Sequence, residues 1–396
     1  MCGIIGCCGR NDVAASLVEG LKRLEYRGYD SAGMGLIAGN GQMLIRRAVG
    51  PVAQLEAALA DDFHGTTGVA HTRWATHGVP SVKNAHPHTD ASNHVALVHN
   101  GIIENYQTIK AFLAAQGIEF RSDTDTEALA QLIGYHYKGD LFEAVRRALL
   151  EVQGTYGIAV LDSRHPQMIV CARNGSPLIL GIGNSANWVA SDATPLAAHT
   201  RNVIYLEDGE MAQITPDSYR TSKVISRETV VKTVERIDME IEQLEKRGYP
   251  HFMLKEIHEQ PEVIRNVCRG RLNVETGEVR LGGLTIDNRE LKKIHRIIIS
   301  ACGTSWHAGL GGEYMLETYA RIPVEVEYAS EFRYRRPILT PEDLVIVISQ
   351  SGETADTLAA LREAKAQGTS VMGICNVVGS TIARETHFGV YTHAGP

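Results

Sequence analysis

No apolar run in this chain approaches the ~18 residues that would suggest a membrane span. The opening Met1-Cys2-Gly3-Ile4-Ile5-Gly6 lacks the basic segment and long apolar stretch of a secretion signal. There is no excess of positive charge: the net charge is -7, so no basic footprint for nucleic acid exists. The seven cysteines are odd in number and irregular in spacing, which fits reduced thiols better than a disulfide framework. No low-complexity segment and no long internal repeat is present. These absences exclude a membrane protein and a disulfide-stapled secreted domain, and make the cytoplasm the expected compartment. What remains is ordinary globular material, 44% hydrophobic and 21% charged. Its 396 residues exceed one typical core, so two domains are expected.

The two halves differ in pattern. In the first, Cys2 to Gly9 reads as a buried strand, and Val13, Leu17, Leu21 and Leu24 recur at helical spacing. Gly39-Asn40-Gly41 sits between two apolar runs, a hairpin signal. Further strands are expected at 67–72, 95–99, 158–161, 168–172, 178–183 and 203–206, and helices at 106–116, 126–137 and 141–152. Strands in succession with helices grouped between them indicate an α+β domain of stacked antiparallel sheets covered by helices, over residues 2–217. Residues 218–247 are charged and poorly periodic and read as a linker, running into helix from about Asp238 to Arg269. Residues 248–396 form the second domain. There, apolar strands at 294–301, 343–349 and 371–375 alternate with polar loops and helices, the mark of an α/β domain with a parallel sheet.

The chemistry in the first half centres on Cys2. Removal of Met1 would leave a thiol and an α-amine on one residue. That amine has an ordinary pKa of ~7.7–8.0, so it can serve as general base toward its own thiol, directly or through a water. Position 2 alone would not separate Cys2 from Cys7 and Cys8, small apolar residues of the same strand. Three polar segments do so: His71–Gly78, His99–Asn105 and Ser122–Glu127. Asn100 can offer a side-chain N–H, and Gly101 a backbone N–H, to a developing oxyanion. Arg73 can take an α-carboxylate in a bidentate fork and Asp125 an α-ammonium. Together these groups would recognise and hydrolyse glutamine.

These segments, with Cys2-Gly3-Ile4 and Leu24–Gly33, resemble the glucosamine-6-phosphate synthases, also called glutamine–fructose-6-phosphate aminotransferases (isomerizing). The resemblance runs in order along nearly the whole chain. It implies an N-terminal-nucleophile αββα glutaminase fold for the first domain. It also implies roles: Cys2 as nucleophile, Asn100 and Gly101 as oxyanion hole, and Arg73, Thr76, His77 and Asp125 as glutamine-binding residues. Trp74 resembles the family tryptophan that gates ammonia passage.

In the second half, two strand–loop–helix units carry hydroxyl-rich loops, with Thr304 and Ser305 in one and Ser349, Ser351 and Thr354 in the other. Free N–H groups at a helix start, with hydroxyls beside them, make a phosphate cradle without a lysine. Simple N-capping explains one such loop, but two at adjacent strand ends lie where ligands gather. Both loops resemble the flavodoxin-like SIS domain of the same family. By that resemblance Cys302, Gly303, Thr304, Ser305, Ser349, Gln350, Ser351 and Thr354 hold the phosphosugar. The family carries two SIS domains, whereas this sequence ends at Thr392–Pro396, inside or just after the first. The second, with the isomerising groups, is therefore expected to be absent and the chain a fragment.

The expected substrates are glutamine and fructose 6-phosphate, with no cofactor, and the family implies a homodimer. The six histidines between His71 and His99 match no zinc spacing, so no metal is expected. Two rivals stand beside this reading: another type-2 glutamine amidotransferase, such as a phosphoribosyl type, and a non-catalytic phosphosugar sensor. The SIS-like loops weigh against the first. Intact Cys2, Arg73, Asn100 and Asp125 weigh against the second.

Overall fold

The computed structural model describes residues 2–60, 62–74, 78–237, 248–273 and 275–395. Contacts divide the chain into two units, Met1–Leu244 and Glu245–Pro396.

The first unit begins with β1 (Gly3–Gly9), α1 (Ala14–Leu24), β2 (Ser31–Ile37), β3 (Met43–Val49), α2 (Val52–Ala57), β4 (Thr67–Arg73), β5 (His88–Thr89) and β6 (Val95–Ile103). It continues with α3 (Tyr106–Ala115), α4 (Asp125–His136), α5 (Leu141–Glu151), β7 (Gly154–Asp162), β8 (Ile169–Asn174), β9 (Ile179–Ile182) and β10 (Ala186–Ala190). It closes with β11 (Asn202–Tyr205), β12 (Glu210–Ile214), β13 (Tyr219–Lys223) and β14 (Glu235–Arg236). Among the described residues these strands make an eight-stranded sheet, β14-β11-β9-β10-β1-β4-β2-β3, and a six-stranded sheet, β13-β12-β8-β7-β6-β5.

Side-chain alternation assigns the layers. Successive residues of a strand face opposite sides. In β1, Ile4 and Cys8 point to a core shared with Val98, Ala159 and Cys171 of the second sheet. Ile5 and Cys7 point the other way, to Leu17 and Leu21 of α1. On the far side of the second sheet, Leu97, Ile158 and Val160 meet Leu129, Leu132 and Val145 of α4 and α5. The order helix, sheet, sheet, helix is the αββα fold the resemblance implies. Strand β1 is covered on both faces, which is why it reads as a continuous apolar run rather than an alternating one.

Three expectations need correction. Part of the expected linker is not one: residues 219–223 pair with β12, and 235–236 pair with β11, so both segments belong to the sheets of the first unit. Their charged composition is that of edge strands. Strand β6 does not stop at His99. It runs through Asn100 and Gly101, which pair with Gly157 and Tyr156 of β7, so this motif lies in a sheet rather than in a loop. The Cys302–Ser305 segment is mostly helix, as described next. Of the helix expected over 238–269, residues 238–247 lie outside the described residues.

The second unit contains α6 (Phe252–Cys268), α7 (Asn288–Leu291), β15 (Arg296–Ala301), α8 (Gly303–Tyr319), β16 (Val324–Tyr328) and α9 (Ala329–Tyr334). It ends with β17 (Asp343–Ser349), α10 (Ala355–Ala366), β18 (Ser370–Cys375), α11 (Thr381–Glu385) and β19 (Phe388–Tyr391). Among the described residues its five strands are all parallel, in the order β16-β15-β17-β18-β19. Numbered within this unit, that is 2-1-3-4-5, the flavodoxin-like order. Ile298, Val345 and Val371 face Leu358 and Leu361 of α10. Ile297, Ile299 and Ile346 face the opposite side, toward Leu316 of α8. The strand order reverses between β15 and β17, and both hydroxyl-rich segments begin at the carboxyl ends of those two strands.

Candidate active site

Antiparallel pairing of β1 with β4 sets Gly3 opposite Thr72. Cys2 therefore lies beside the carboxyl end of β4, against the peptide that joins Arg73 to Trp74. The Trp74 backbone N–H donates to Cys2 Sγ at 3.1 Å, and Sγ lies 3.5 Å from Trp74 O. Behind this peptide runs Gly28. A Cβ there would sit 2.7 Å from the carbonyl carbon of Arg73 and 3.0 Å from the nitrogen of Trp74, so only glycine fits without shifting the peptide that holds the sulfur. Burial pushes the Cys2 thiol pKa up, while the Trp74 N–H and the Arg73 charge pull against it.

Asn100 reaches this site from the second sheet. Its Nδ2 donates to the carbonyl of Cys2 at 3.0 Å, and its Oδ1 is 3.0 Å from His71 Nε2. Gly101 follows with φ +128°, and a Cβ there would lie 2.1 Å from Thr155 O. Backbone angle and space both demand glycine at that position. His71 stacks on His86 at 4.2 Å between ring centroids, and His86 meets His88 edge-on at 5.0 Å. His99 contacts Thr126 Oγ1 through Nδ1 at 3.0 Å, and its backbone N–H donates to His86 Nδ1 at 3.3 Å. Burial holds His71 down to about 3, and His86 and His88 well below the ordinary histidine value. Among the described residues no group of three or more His, Cys, Asp or Glu side chains is placed to hold a metal ion. His71, His86 and His88 form a chain of stacked and edge-on rings, each held toward the neutral form by burial.

Arg73 and Asp125 converge on the same place. Burial lowers the Arg73 pKa, while the negative charges of Cys2, Asp125 and Asp30 raise it. Asp125 is buried at the start of α4, where its Oδ2 accepts the Ile103 N–H at 2.8 Å. The flanking residues of that motif are scaffold. Thr124 caps α4 by accepting from Glu127 N, and the Glu127 carboxylate accepts from Arg121 N at 2.7 Å and Ser122 N at 2.5 Å. Trp74 is half exposed and edge-on to Tyr29 at 5.5 Å. Thr76 and His77 lie outside the described residues.

In the second unit, α8 starts at Gly303 with φ +59°, so Thr304 and Ser305 occupy its first turn and only Cys302 precedes it. After β17, Ser349 Oγ accepts the Gly352 N–H at 3.0 Å and lies 3.1 Å from Thr354 Oγ1. Ser351 Oγ accepts Glu353 N at 3.2 Å. Gly352 has φ +66°, and a Cβ there would lie 1.9 Å from Ser380 Oγ. Thr357 Oγ1 is 3.9 Å from Cys302 Sγ, joining the two segments across the switch point. Gln350 O accepts N–H groups of Asn376 and Val377. Ser349 is thus largely spent on shaping the loop. The Glu353 carboxylate accepts the Thr381 N–H of α11 at 2.8 Å.

Two family models match: a glutamine amidotransferase domain over residues 71–198 and a SIS domain over residues 290–396. Over its whole length the chain is 58% identical to a glutamine–fructose-6-phosphate aminotransferase (isomerizing) of Chlorobaculum tepidum and 52% identical to one of Bacteroides thetaiotaomicron. The chain is similar to these relatives along its whole length. It spans 65% of the length of each of those two relatives. Arg73, Asn100, Gly101 and Asp125 fall within the amidotransferase match, and both hydroxyl-rich segments fall within the SIS match. A glutamine phosphoribosylpyrophosphate amidotransferase from B. subtilis superposes with a TM-score of 0.51 at 17% identity, over 98% of this chain and 90% of its own, a likeness of fold alone. Sequence reasoning missed two site residues, Gly28 and His71. Both stand inside quoted motifs, but their use depends on contacts across the sheets that spacing does not reveal.

Proposed function

We propose that the first unit hydrolyses glutamine at Cys2 and that the second holds a sugar phosphate that receives the ammonia. Arg73 binds the α-carboxylate of glutamine and Asp125 its α-ammonium. By the family resemblance, Thr76, His77 and Trp74 are assigned to the same substrate. The α-amine exposed by loss of Met1 takes the thiol proton, and Sγ attacks the side-chain carboxamide carbon. Asn100 Nδ2 and the Gly101 N–H hold the oxyanion. Collapse of the tetrahedral species expels ammonia and leaves a γ-glutamyl thioester. Water then cleaves the thioester, releasing glutamate and restoring the thiol, so glutamine and water give glutamate and ammonia.

The observation that carries this reading is the position of the second residue's sulfur. It is fixed by the Trp74 N–H, with Asn100 bound to the carbonyl of that same residue. Raising the thiol pKa by burial fits a nucleophile that gives up its proton to a neighbouring base when substrate arrives.

The named relatives act on glutamine and fructose 6-phosphate. We assign the same pair here, with Cys302, Gly303, Thr304, Ser305, Ser349, Gln350, Ser351 and Thr354 around the sugar phosphate. A cytoplasmic homodimer is part of the proposal. Ammonia and an open sugar ketone form an imine without a cofactor, and isomerisation needs a base that moves a proton between adjacent carbons. Glu353, the one carboxylate in these loops, binds α11 instead. The 396 residues alone are therefore expected to hydrolyse glutamine and bind fructose 6-phosphate weakly without forming glucosamine 6-phosphate. A paired assay of glutamate release and amino-sugar formation on one preparation tests this. Absence of glutamate release would leave the phosphosugar-sensor reading standing.

A further inference from the structure

Asn100 is a primary amide, and its two ends are not interchangeable in this site. One end faces the carbonyl oxygen of Cys2 at 3.0 Å, which can only accept, so the amide nitrogen must lie there. The other end is then Oδ1, which can only accept, and the atom 3.0 Å from it is His71 Nε2. That nitrogen must carry a hydrogen. With the amide reversed, two oxygens would oppose each other at Cys2. His71 is neutral, because burial holds its pKa to about 3. A neutral imidazole has a single N–H, so His71 is the Nε2–H tautomer with a lone pair on Nδ1. Its ring is clamped by stacking on His86 at 4.2 Å.

We propose that His71 is a positioning residue for glutamine hydrolysis: its Nε2–H fixes the Asn100 amide so that Nδ2 faces the nucleophile. One Nδ2 hydrogen is used on the Cys2 carbonyl. The second is left for the oxyanion, and it is useful only while the amide plane is held. This inference rests on Asn100 being an oxyanion donor.

A pair of substitutions separates position from bulk. Glutamine carries its amide nitrogen near the place of imidazole Nε2, whereas the asparagine side chain is shorter and ends nearer Nδ1. His71→Gln should therefore retain kcat within ~10-fold of the parent. His71→Asn should lose ~10²-fold or more, the scale for a lost oxyanion donor. KM for glutamine should stay within about threefold in both, because the bond strengthens as charge develops. In an Asn100→Ala background, His71→Asn should cause no further loss. Equal kcat for His71→Gln and His71→Asn would overturn the proposal, as would losses that multiply in the double variant. If Asn100→Ala alone leaves kcat unchanged, the oxyanion-hole reading fails instead, which is a different result. Both His71 variants are polar and can be compared at the same folded fraction, measured by circular dichroism and by active-site titration of Cys2.

Discussion

The backbone N–H of Trp74 points at the sulfur of Cys2 from 3.1 Å, and Gly28 packs directly behind that peptide. The strand pairing of β1 with β4 creates this contact, and the missing side chain at Gly28 permits it. The position of the Cys2 sulfur is therefore set by main chain, at a place where a Cβ would find 2.7 Å to the Arg73 carbonyl carbon.

Gly28→Ala should move the Arg73–Trp74 peptide and carry the sulfur with it. A displacement approaching 1 Å at a reacting atom costs on the order of 10²-fold in rate. The expected result is a fall in kcat for glutamine hydrolysis of ~10–10²-fold in a folded protein. Steady-state kinetics with a parallel thermal melt would check it. Unchanged kcat would show that the peptide can yield without disturbing Cys2.

Asn100 and Arg73 should give opposite kinetic signatures. Asn100→Ala removes a donor that matters mainly once the oxygen is charged, so kcat should fall ~10²–10³-fold with little change in KM. Arg73→Ala removes a contact made in ground and transition states alike, so KM should rise strongly. The same signature in both would refute the assignment of roles.

Acid should unfold the first unit through its buried histidines. The His71 pKa is about 3 in the folded chain, against an ordinary value of 6.5. The unfolded chain takes up a proton as pH falls below that ordinary value, and the folded chain does not. The folded-state pKa is depressed, so this stability is present above pH ~6.5 and is lost as pH falls toward 3. At pH 5.5, His71 alone should remove on the order of 1 kcal/mol relative to pH 8. His86 and His88 shift in the same direction. Urea unfolding at both pH values, repeated with His71→Gln, should show a smaller pH dependence in the variant. An equal dependence would mean that His71 is protonated in the native state.

The sugar loops should fail independently of the glutaminase. Gly352→Ala places a Cβ 1.9 Å from Ser380 Oγ at a backbone φ of +66°. It should abolish fructose 6-phosphate binding in a titration while glutamate release continues at the parental rate. Retained binding would locate the phosphate elsewhere.

Much of this was legible in the chain itself. Ile4 and Cys8 alternate with Ile5 and Cys7 because β1 is covered on both faces, and the apolar run showed as much. The 343–349 strand was read to the residue, since a buried parallel strand bounded by Thr340-Pro341 and Gln350-Ser351-Gly352 has few alternatives. Edge elements were not legible. Strands β13 and β14 carry Lys223, Arg236 and Glu235, and their charge made them look like a linker. The pairing of Asn100 with Gly157 inside a sheet was hidden because polar residues usually mark the end of a strand. His71 was visible only as one histidine among six. Its bond to Asn100 spans two sheets, and no local spacing encodes it.

The claim on which the rest depends is that Cys2, freed of Met1, is the nucleophile. The most direct measurement is mass mapping after inactivation by 6-diazo-5-oxonorleucine, a glutamine-like electrophile that alkylates a thiolate with loss of dinitrogen. The account predicts one equivalent of adduct on an N-terminal peptide that begins at Cys2, with glutamate release lost in proportion and no labelling of Cys2→Ala. An inactivated protein labelled at another residue, or an active one that retains Met1, would contradict it.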